Sequence, residues 1–227
     1  MNHDQTTRMG TLDTILDRPF AGLLFDMDGT LLSSVASAER CWTRWAIEVG
    51  VDPAHVLSIM HGVRAVDTIR RLGIADPEGE AARLTEMEME DVADIVPLGG
   101  AVAFTGALPP ERLAIVTSAP RLLAERRLAA AGLPPPAVFV TAEDITQGKP
   151  APDGYLMAAR LLGVDPAQCL VLEDAPAGIA AGQAAGATVL VLTATHGKPL
   201  VTDCAAVADY ARLVPDAGAE GIRIRRA

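Results

Sequence analysis

Short apolar runs alternate with segments of helical periodicity over the second half of the chain. Each run is followed directly by polar residues, and the runs are 113–116, 138–140, 169–172 and 189–192. The intervening helical segments are 121–131, 153–162 and 177–185. Such alternation is typical of parallel strands joined by crossover helices. The sequence therefore predicts a doubly wound, parallel α/β sheet whose polar residues collect at the carboxyl edge.

A further apolar run, residues 21–25, ends in two carboxylates, Asp26 and Asp28, with Gly29 directly after them. If this run is a buried strand of the same sheet, both acids face the ligand crevice at its carboxyl end. Two carboxylates in one small space repel each other unless a cation or a proton lies between them. The alternative is an Asx-rich turn, in which Asp28 and Gly29 only shape the loop.

The strand-like runs disappear in the middle of the first half of the chain, where helical periodicity takes over. Trp42, Trp45 and Val49 fall on one helical stripe, and residues 80–92 are typical of an acidic amphipathic helix. We assign the tryptophans to the core of an inserted helical cap rather than to a stacking platform. The predicted division is a loose N-terminal arm, residues 1–18; an α/β core, residues 19–34 and 100–227; and a helical cap, residues 35–99.

Composition limits the possible partners. The chain has 227 residues, of which 50% are hydrophobic, and a formal net charge of −10. An acidic chain is not expected to bind nucleic acid or an anionic membrane, because both are negatively charged and bind proteins through clustered Lys and Arg. The three cysteines show no CxxC spacing, which disfavours a disulfide framework or a zinc site and suits a cytoplasmic protein. We expect no signal peptide or membrane span, and a monomer or weak homo-oligomer.

Three features support a site at the sheet edge. Lys149 is one of two lysines in the chain and lies between Gly148 and Pro150, which predicts a rigidly held ammonium; the alternative is an ordinary surface lysine. Glu173 and Asp174 supply a second carboxylate pair, which together with Asp26 suits an oxygen-rich Mg²⁺ site. Thr117 and Ser118 precede a helix and are typical of a phosphate cradle, with a helix cap as the alternative for Thr117.

The order of these motifs, DxDGT, Thr-Ser, GKP and then Glu-Asp, resembles the haloacid dehalogenase superfamily of phosphohydrolases. The position of the insert is similar to the helical cap of the subgroup with sugar-phosphate phosphatases and β-phosphoglucomutase. Three segments resemble the phosphatases of 2-deoxyglucose 6-phosphate, glycerol phosphate and related hexose or polyol phosphates: 61–68, 148–155 and 173–178.

The resemblance implies a role for each residue of the site. Asp26 would attack phosphorus and carry an aspartyl phosphate, and Asp28 would act as general acid and base. Lys149 would withdraw charge from the phosphoryl group, which Thr117 and Ser118 would also bind. The implied Mg²⁺ ligands are Asp26, the backbone carbonyl of Asp28, Glu173 and Asp174.

The cap would exclude water and recognise the leaving group. The candidate specificity residues of the cap are His61, Gly62 and Arg64. Of these, His61 and Arg64 could bind sugar hydroxyls or a second anionic group. The alternative makes His61 a helix-terminal residue and Arg64 a solvated one. His196 is a weaker candidate for the interface between cap and core.

The sequence thus predicts an Mg²⁺-dependent phosphatase of small sugar or polyol phosphates. One alternative is a sugar-phosphate mutase of the β-phosphoglucomutase type, which keeps the same core. A second, from another class, is a non-catalytic phosphosugar-binding regulator. A phosphonate hydrolase of the superfamily needs a Schiff-base lysine in the cap, and residues 35–99 contain none.

Overall fold

The computed structural model describes residues 12–16, 18–197 and 200–227. In chain order, its helices and strands are α1 (Leu12–Leu16), β1 (Gly22–Phe25), α2 (Val35–Val49), α3 (Pro53–Met60), α4 (Ala65–Arg71), α5 (Pro77–Glu90), α6 (Ala101–Gly106), β2 (Leu113–Val116), α7 (Arg121–Ala130), β3 (Val138–Val140), α8 (Asp153–Leu162), β4 (Cys169–Glu173), α9 (Pro176–Ala184), β5 (Thr188–Leu192), β6 (Ala205–Val207), β7 (Leu213–Gly218) and β8 (Gly221–Arg226).

Six strands form a parallel sheet in the order β3-β2-β1-β4-β5-β6. In the middle of this sheet, Phe25 of β1 pairs with Ile115 of β2 on one side and with Leu172 of β4 on the other. The chain first builds the sheet outward through β2 and β3, then crosses back to continue through β4, β5 and β6. This reversal places the topological switch point beside β1. The predicted doubly wound, parallel sheet is confirmed.

Both faces of the central strand are buried, which explains why β1 has an uninterrupted apolar sequence. Leu23 and Phe25 belong to the cluster that includes residues of α6, α7 and the β7–β8 hairpin. Leu24 packs on the opposite face, in the cluster that contains residues of α8 and α9. Helices therefore cover both faces, and the open edge for a ligand is the carboxyl end of the strands.

Helices α2 to α5 form the cap, which has a hydrophobic cluster of its own. Trp42 and Trp45 meet edge to face at its centre, with ring centroids 5.6 Å apart. Trp45 is fully buried, as expected for a core residue. The two chain segments that join the cap to the sheet run side by side, where Ser33 N donates to Val96 O at 2.9 Å. The cap is thus attached through two adjacent linkers above the carboxyl edge.

The two ends of the chain differ from the expectation. Residues 12–16, assigned to a loose arm, form helix α1, and Ile15 packs into the core cluster at 3% exposure. Residues 1–11 and residue 17 of that predicted arm lie outside the described residues. The strands β6, β7 and β8 were not predicted, because no run as apolar as those of the central strands marks them. Among the described residues, no helix is long and apolar enough to cross a membrane.

Candidate active site

Two neighbouring strands deliver the three predicted acids to one point. Asp26 follows β1, while Glu173 ends β4 and Asp174 follows it. Because β1 and β4 are adjacent and parallel, their carboxyl ends coincide. Carboxylate oxygens of the three residues lie within 4.8 Å of one another, and all three residues are buried. The structure therefore brings together the three side chains that the sequence assigned to a metal.

Lys149 enters this carboxylate cluster from the loop before α8. Its Nζ donates to Asp26 Oδ1 at 2.5 Å, to Glu173 Oε1 at 2.6 Å and to Val116 O at 3.2 Å. The side chain is only 4% exposed, so Lys149 is not an ordinary surface lysine. Tyr155, which the sequence analysis missed, donates its hydroxyl to Glu173 Oε1 at 2.8 Å.

The cluster combines three carboxyl groups with one ammonium, so protons or a further cation must offset the excess negative charge. Burial raises the pKa of Asp26 to about 8, and the Glu173 carboxylate adds to the rise while Lys149 opposes it. Burial and the Asp26 carboxylate raise the pKa of Asp174 well above its usual value. The pKa of Lys149 rises because Asp26 and Glu173 outweigh the opposing effect of burial. A set of carboxylate oxygens with excess negative charge fits a hard divalent cation such as Mg²⁺.

Close backbone packing orients the Glu173 carboxylate. Its Oε2 accepts hydrogen bonds from the amides of Asp174 at 2.9 Å and Ala175 at 3.2 Å. A side chain at Gly178, in the first turn of α9, would overlap the Glu173 carboxylate. Glycine at this position therefore makes the room in which Glu173 lies.

Asp28 lines the cavity between cap and core, together with Asp26 and Asp174 of the carboxylate cluster. Its Oδ1 accepts hydrogen bonds from Ser34 Oγ at 2.6 Å and from Arg127 Nη1 at 2.9 Å. Its Oδ2 accepts one from Thr117 Oγ1 at 3.4 Å. These contacts hold the carboxylate in one orientation, which an Asx turn alone does not require. Neither Ser34 nor Arg127 was selected from the sequence.

Thr117 and Ser118 lie at the end of β2, as expected, but their polar groups already have partners. The amide of Thr117 donates to Val140 O at 3.0 Å, and its Oγ1 accepts a hydrogen bond from Ala119 N at 3.1 Å. Ser118 Oγ donates to Gly62 O in the cap at 2.9 Å. The hydroxyl of Ser118 thus joins the core to the cap in this structure.

Two of the three candidate specificity residues of the cap, His61 and Gly62, line the cavity. His61 is the C-cap of α3, and its Nε2 lies 3.3 Å from Glu39 Oε1. Gly62 has a φ of 74°, and a Cβ there would lie 2.7 Å from the Cβ of Ala175 in the core. Only glycine allows the cap loop to approach the sheet edge this closely.

The structure does not place Arg64 at the cavity, contrary to the expected role in substrate recognition. Its Nε binds Asp67 Oδ2 at 2.7 Å, and its guanidinium donates to Ile145 O at 3.0 Å and Thr146 O at 2.9 Å. The solvated alternative does not hold either, because the side chain is only 13% exposed. Arg64 docks the cap on the loop before Lys149, and nothing in the sequence marks the carbonyls that it meets.

His196 follows β5 and lies at the interface between cap and core. Its Nε2 is 4.0 Å from Asp174 Oδ2, and the residue borders a second cavity together with His61 and Glu39. This is the location expected for His196, although no hydrogen bond from its ring to the cap is present among the described residues.

Two buried charged residues were missed, Glu88 of cap helix α5 and Arg127 of core helix α7. Arg127 Nη2 donates to Glu88 Oε1 at 3.1 Å, so Arg127 bridges Glu88 and Asp28. Burial raises the pKa of Glu88, while the Arg127 guanidinium acts in the opposite direction. Both residues line the cavity. The sequence did contain a signal for Glu88. It lies four residues after Leu84, so both residues share the buried face of α5, and a carboxylate on a buried helix face indicates a specific partner or a functional role.

The fold and this site define an α/β enzyme with a carboxylate-rich centre at the sheet switch point and a helical cap above it. Residues 20–186 match the model of the haloacid dehalogenase-like hydrolases. The chain belongs to this hydrolase family, and the family assignment made from the sequence motifs is confirmed.

Named relatives span most of the chain. It is 42% identical over 188 residues to hexitol phosphatase A of Escherichia coli (strain K12), covering 80% of this chain and 87% of the relative. It is 34% identical over 212 residues to 2-deoxyglucose-6-phosphate phosphatase 1 of Saccharomyces cerevisiae, covering 82% and 85%. A crystal structure of a hydrolase from Pseudomonas syringae superposes with a TM-score of 0.72 at 26% identity, covering 84% of this chain and 94% of that one.

Proposed function

We propose that the protein is an Mg²⁺-dependent phosphatase of small sugar or polyol phosphates that works through an aspartyl phosphate on Asp26. The observation that carries the proposal is the pairing of two differently held carboxylates. Both line the cavity, but Asp26 is bound by Lys149 within the buried acidic cluster, whereas Asp28 is bound by Ser34 and Arg127. The relatives support the substrate class, because those named above are phosphatases of a hexitol and of 2-deoxyglucose 6-phosphate.

In the first step, an Asp26 oxygen attacks phosphorus, and the bond from phosphorus to the leaving oxygen breaks. Asp28, in its protonated form, gives its proton to the leaving alkoxide, which departs as the alcohol. In the second step, Asp28 takes a proton from water as the water oxygen attacks phosphorus. The acyl phosphate bond then breaks, which releases inorganic phosphate and restores the Asp26 carboxylate.

The other residues keep these two carboxylates in position. Lys149 directs one Asp26 oxygen and offsets part of the negative charge, while Ser34 and Arg127 fix Asp28. Side chains of Asp26, Glu173 and Asp174, with the backbone carbonyl of Asp28, are the proposed Mg²⁺ ligands. Bound Mg²⁺ supplies Lewis-acid polarisation of the phosphoryl oxygens. The contact between Ser118 and Gly62 holds the cap over the site and limits the access of water.

Some of the other expectations remain predictions. The three cysteines are free, and the cytoplasmic location stays a prediction. A monomer or weak homo-oligomer, and the absence of nucleic-acid partners, also remain expectations from composition.

The proposal is tested by phosphate release from a panel of sugar and polyol monophosphates. We expect release with Mg²⁺ and a fall of about two orders of magnitude in EDTA, because the carboxylate cluster is left unbalanced. Added Mg²⁺ should restore the rate, whereas Ca²⁺ should be a poor substitute because its coordination shell is larger and looser. Full activity in metal-free buffer would contradict the proposal. Conversion to an isomeric phosphate without phosphate release would identify a mutase.

The role of Asp28 is tested by Asp28→Ala. We expect turnover of sugar phosphates to fall by about 10² to 10⁴, the usual contribution of a general acid. The loss should be smaller for aryl phosphates, because their leaving groups depart without full protonation. Steady-state kinetics on both substrate types measures this difference. Equal losses on both would argue against proton donation by Asp28.

A further inference from the structure

Glu88 is a buried carboxylate that the cap contributes to the cavity. Its side chain is 8% exposed, and its Oε1 accepts one hydrogen bond from Arg127. Within the described part of the chain, no second hydrogen bond reaches this carboxylate. A largely buried carboxylate with unfilled acceptor positions gains from any donor that a ligand supplies. Since Glu88 lines the cavity, that donor would come from a bound substrate.

The cavity carries excess negative charge on the side of Glu88. Asp28 and Glu88 share a single guanidinium, that of Arg127, whose side chain is 5% exposed. His61 also lines the cavity, but it lies next to another carboxylate, that of Glu39. An anionic group brought near Glu88 would meet a fixed carboxylate that is only partly compensated. This charge balance favours neutral leaving groups over anionic ones.

The remaining walls suit the carbon skeleton of a polyol. Trp42, Met60, Val63 and Leu123 line the cavity with apolar surface. Small-molecule sites commonly combine such walls with a few polar groups that fix orientation. The C–H faces of a sugar or polyol would lie on these walls, while its hydroxyl groups are donors for the free acceptor positions of Glu88.

We propose that Glu88 determines leaving-group specificity: it accepts hydrogen bonds from hydroxyl groups of an uncharged sugar or polyol and rejects leaving groups that carry a second anionic group. This inference rests on the proposed phosphatase function and assigns to Glu88 the recognition that the sequence had suggested for Arg64. Rejection by a fixed like charge discriminates against the wrong substrate as effectively as attraction selects the right one. Arg127 is a positioning residue, because it holds both Glu88 and Asp28 in place.

Two matched substrate pairs test the inference. Sorbitol 6-phosphate and 6-phosphogluconate differ in one terminal CH₂OH that is replaced by a carboxylate, as do glycerol 1-phosphate and 3-phosphoglycerate. The measured quantity is the ratio of kcat/KM for the polyol phosphate to kcat/KM for its carboxylate partner. We expect Glu88→Gln to lower this ratio by roughly ten- to a hundredfold, because the amide removes the repulsion and weakens the hydroxyl contact.

Glu86→Gln is the matched control. Glu86 lies on the same helix, is exposed, and undergoes the same change of charge, so its ratio should stay at the wild-type value. Glu88→Asp is the second variant, since it keeps the charge but shortens the reach. It should lower kcat/KM for the polyol phosphates while leaving the carboxylate substrates poor.

The outcomes are separable. A ratio in Glu88→Gln within about twofold of wild type, with thermal unfolding showing a folded protein, would overturn the specificity role. If Glu88→Gln is unfolded at the assay temperature, Glu88→Asp decides, and unchanged kinetics on the polyol phosphates would overturn the role. If the wild-type protein with Mg²⁺ releases phosphate from no member of either pair and from no other sugar or polyol phosphate, the proposed function itself fails.

Discussion

Replacing Asp26 by asparagine is expected to abolish turnover without unfolding the protein. In the proposed mechanism a carboxylate oxygen of Asp26 attacks phosphorus, and the amide lacks this nucleophile, so we expect kcat to fall by about 10⁴-fold or more. Stability should be retained or increase, because burial and the Glu173 carboxylate already raise the pKa of Asp26 to about 8 and disfavour its charged form. Phosphate release and thermal unfolding in EDTA measure the two effects.

Asp203→Asn is the control for this variant. Asp203 is exposed and receives the same chemical change, so its activity should match the wild type. Residual activity of Asp26→Asn within tenfold of the parent corresponds to a loss of only about 1.4 kcal/mol in transition-state stabilisation. Such a result would remove Asp26 from the role of nucleophile.

The sheet could be predicted from the sequence because its central strands are buried on both faces. Uninterrupted apolar runs such as residues 22–25 and 169–172 follow directly from that burial. Strand β6 and the β7–β8 hairpin lack this signal. In the hairpin, exposed and buried residues mix over short segments, and the register depends on pairing with a partner strand rather than on local pattern. Helix α1 is held by tertiary contacts of Leu12, Ile15 and Leu16 with the core, which five residues of sequence do not reveal.

The position of the acidic cluster could also be predicted from the sequence. The carboxyl ends of neighbouring parallel strands lie at the same edge of the sheet, whatever the conformation of the loops. Asp26, Glu173 and Asp174 therefore meet as the motifs indicate. The cavity walls depend instead on how the cap is docked, and that docking is set by contacts between distant segments. Arg64 reaches backbone carbonyls 81 and 82 residues away, whereas Arg127 and Glu88 meet across 39 residues. Sequence spacing carries no information on such contacts.

Both parts of the site hold more carboxylates than basic side chains, but they hold them in different ways. At the sheet edge, the carboxyl groups of Asp26, Glu173 and Asp174 lie near one ammonium, and the proposed metal ion would offset the excess negative charge. On the cap side, Arg127 holds Asp28 and Glu88 with direct ion pairs. Lys149 is therefore the residue whose removal should disturb the charge balance most, since both of its carboxylate partners are buried.

Lys149→Met is expected to reduce stability and activity together. It leaves the buried Asp26 and Glu173 carboxylates without their ammonium, and breaking a buried ion pair by removing one partner costs about 3–5 kcal/mol. Urea unfolding in EDTA should show this loss in the free energy of unfolding. Mg²⁺ should stabilise Lys149→Met by binding the folded state, but phosphate release should remain low because Asp26 is no longer directed. Arg44→Met, at a position 68% exposed, is the control for loss of a positive charge.

A double-mutant cycle separates lost charge balance from lost packing. If the carboxyl groups left without their ammonium cause the instability of Lys149→Met, adding Asp26→Asn removes the cost of burying or protonating the Asp26 carboxyl and should recover part of the lost free energy. If the cause were the cavity or the changed shape at position 149, the second substitution would give no recovery. The free energies of unfolding of the two single variants and the double variant, all in EDTA, measure the coupling. A double variant no more stable than Lys149→Met, or a Lys149→Met variant as stable as the wild type, would show that Lys149 does not balance the cluster.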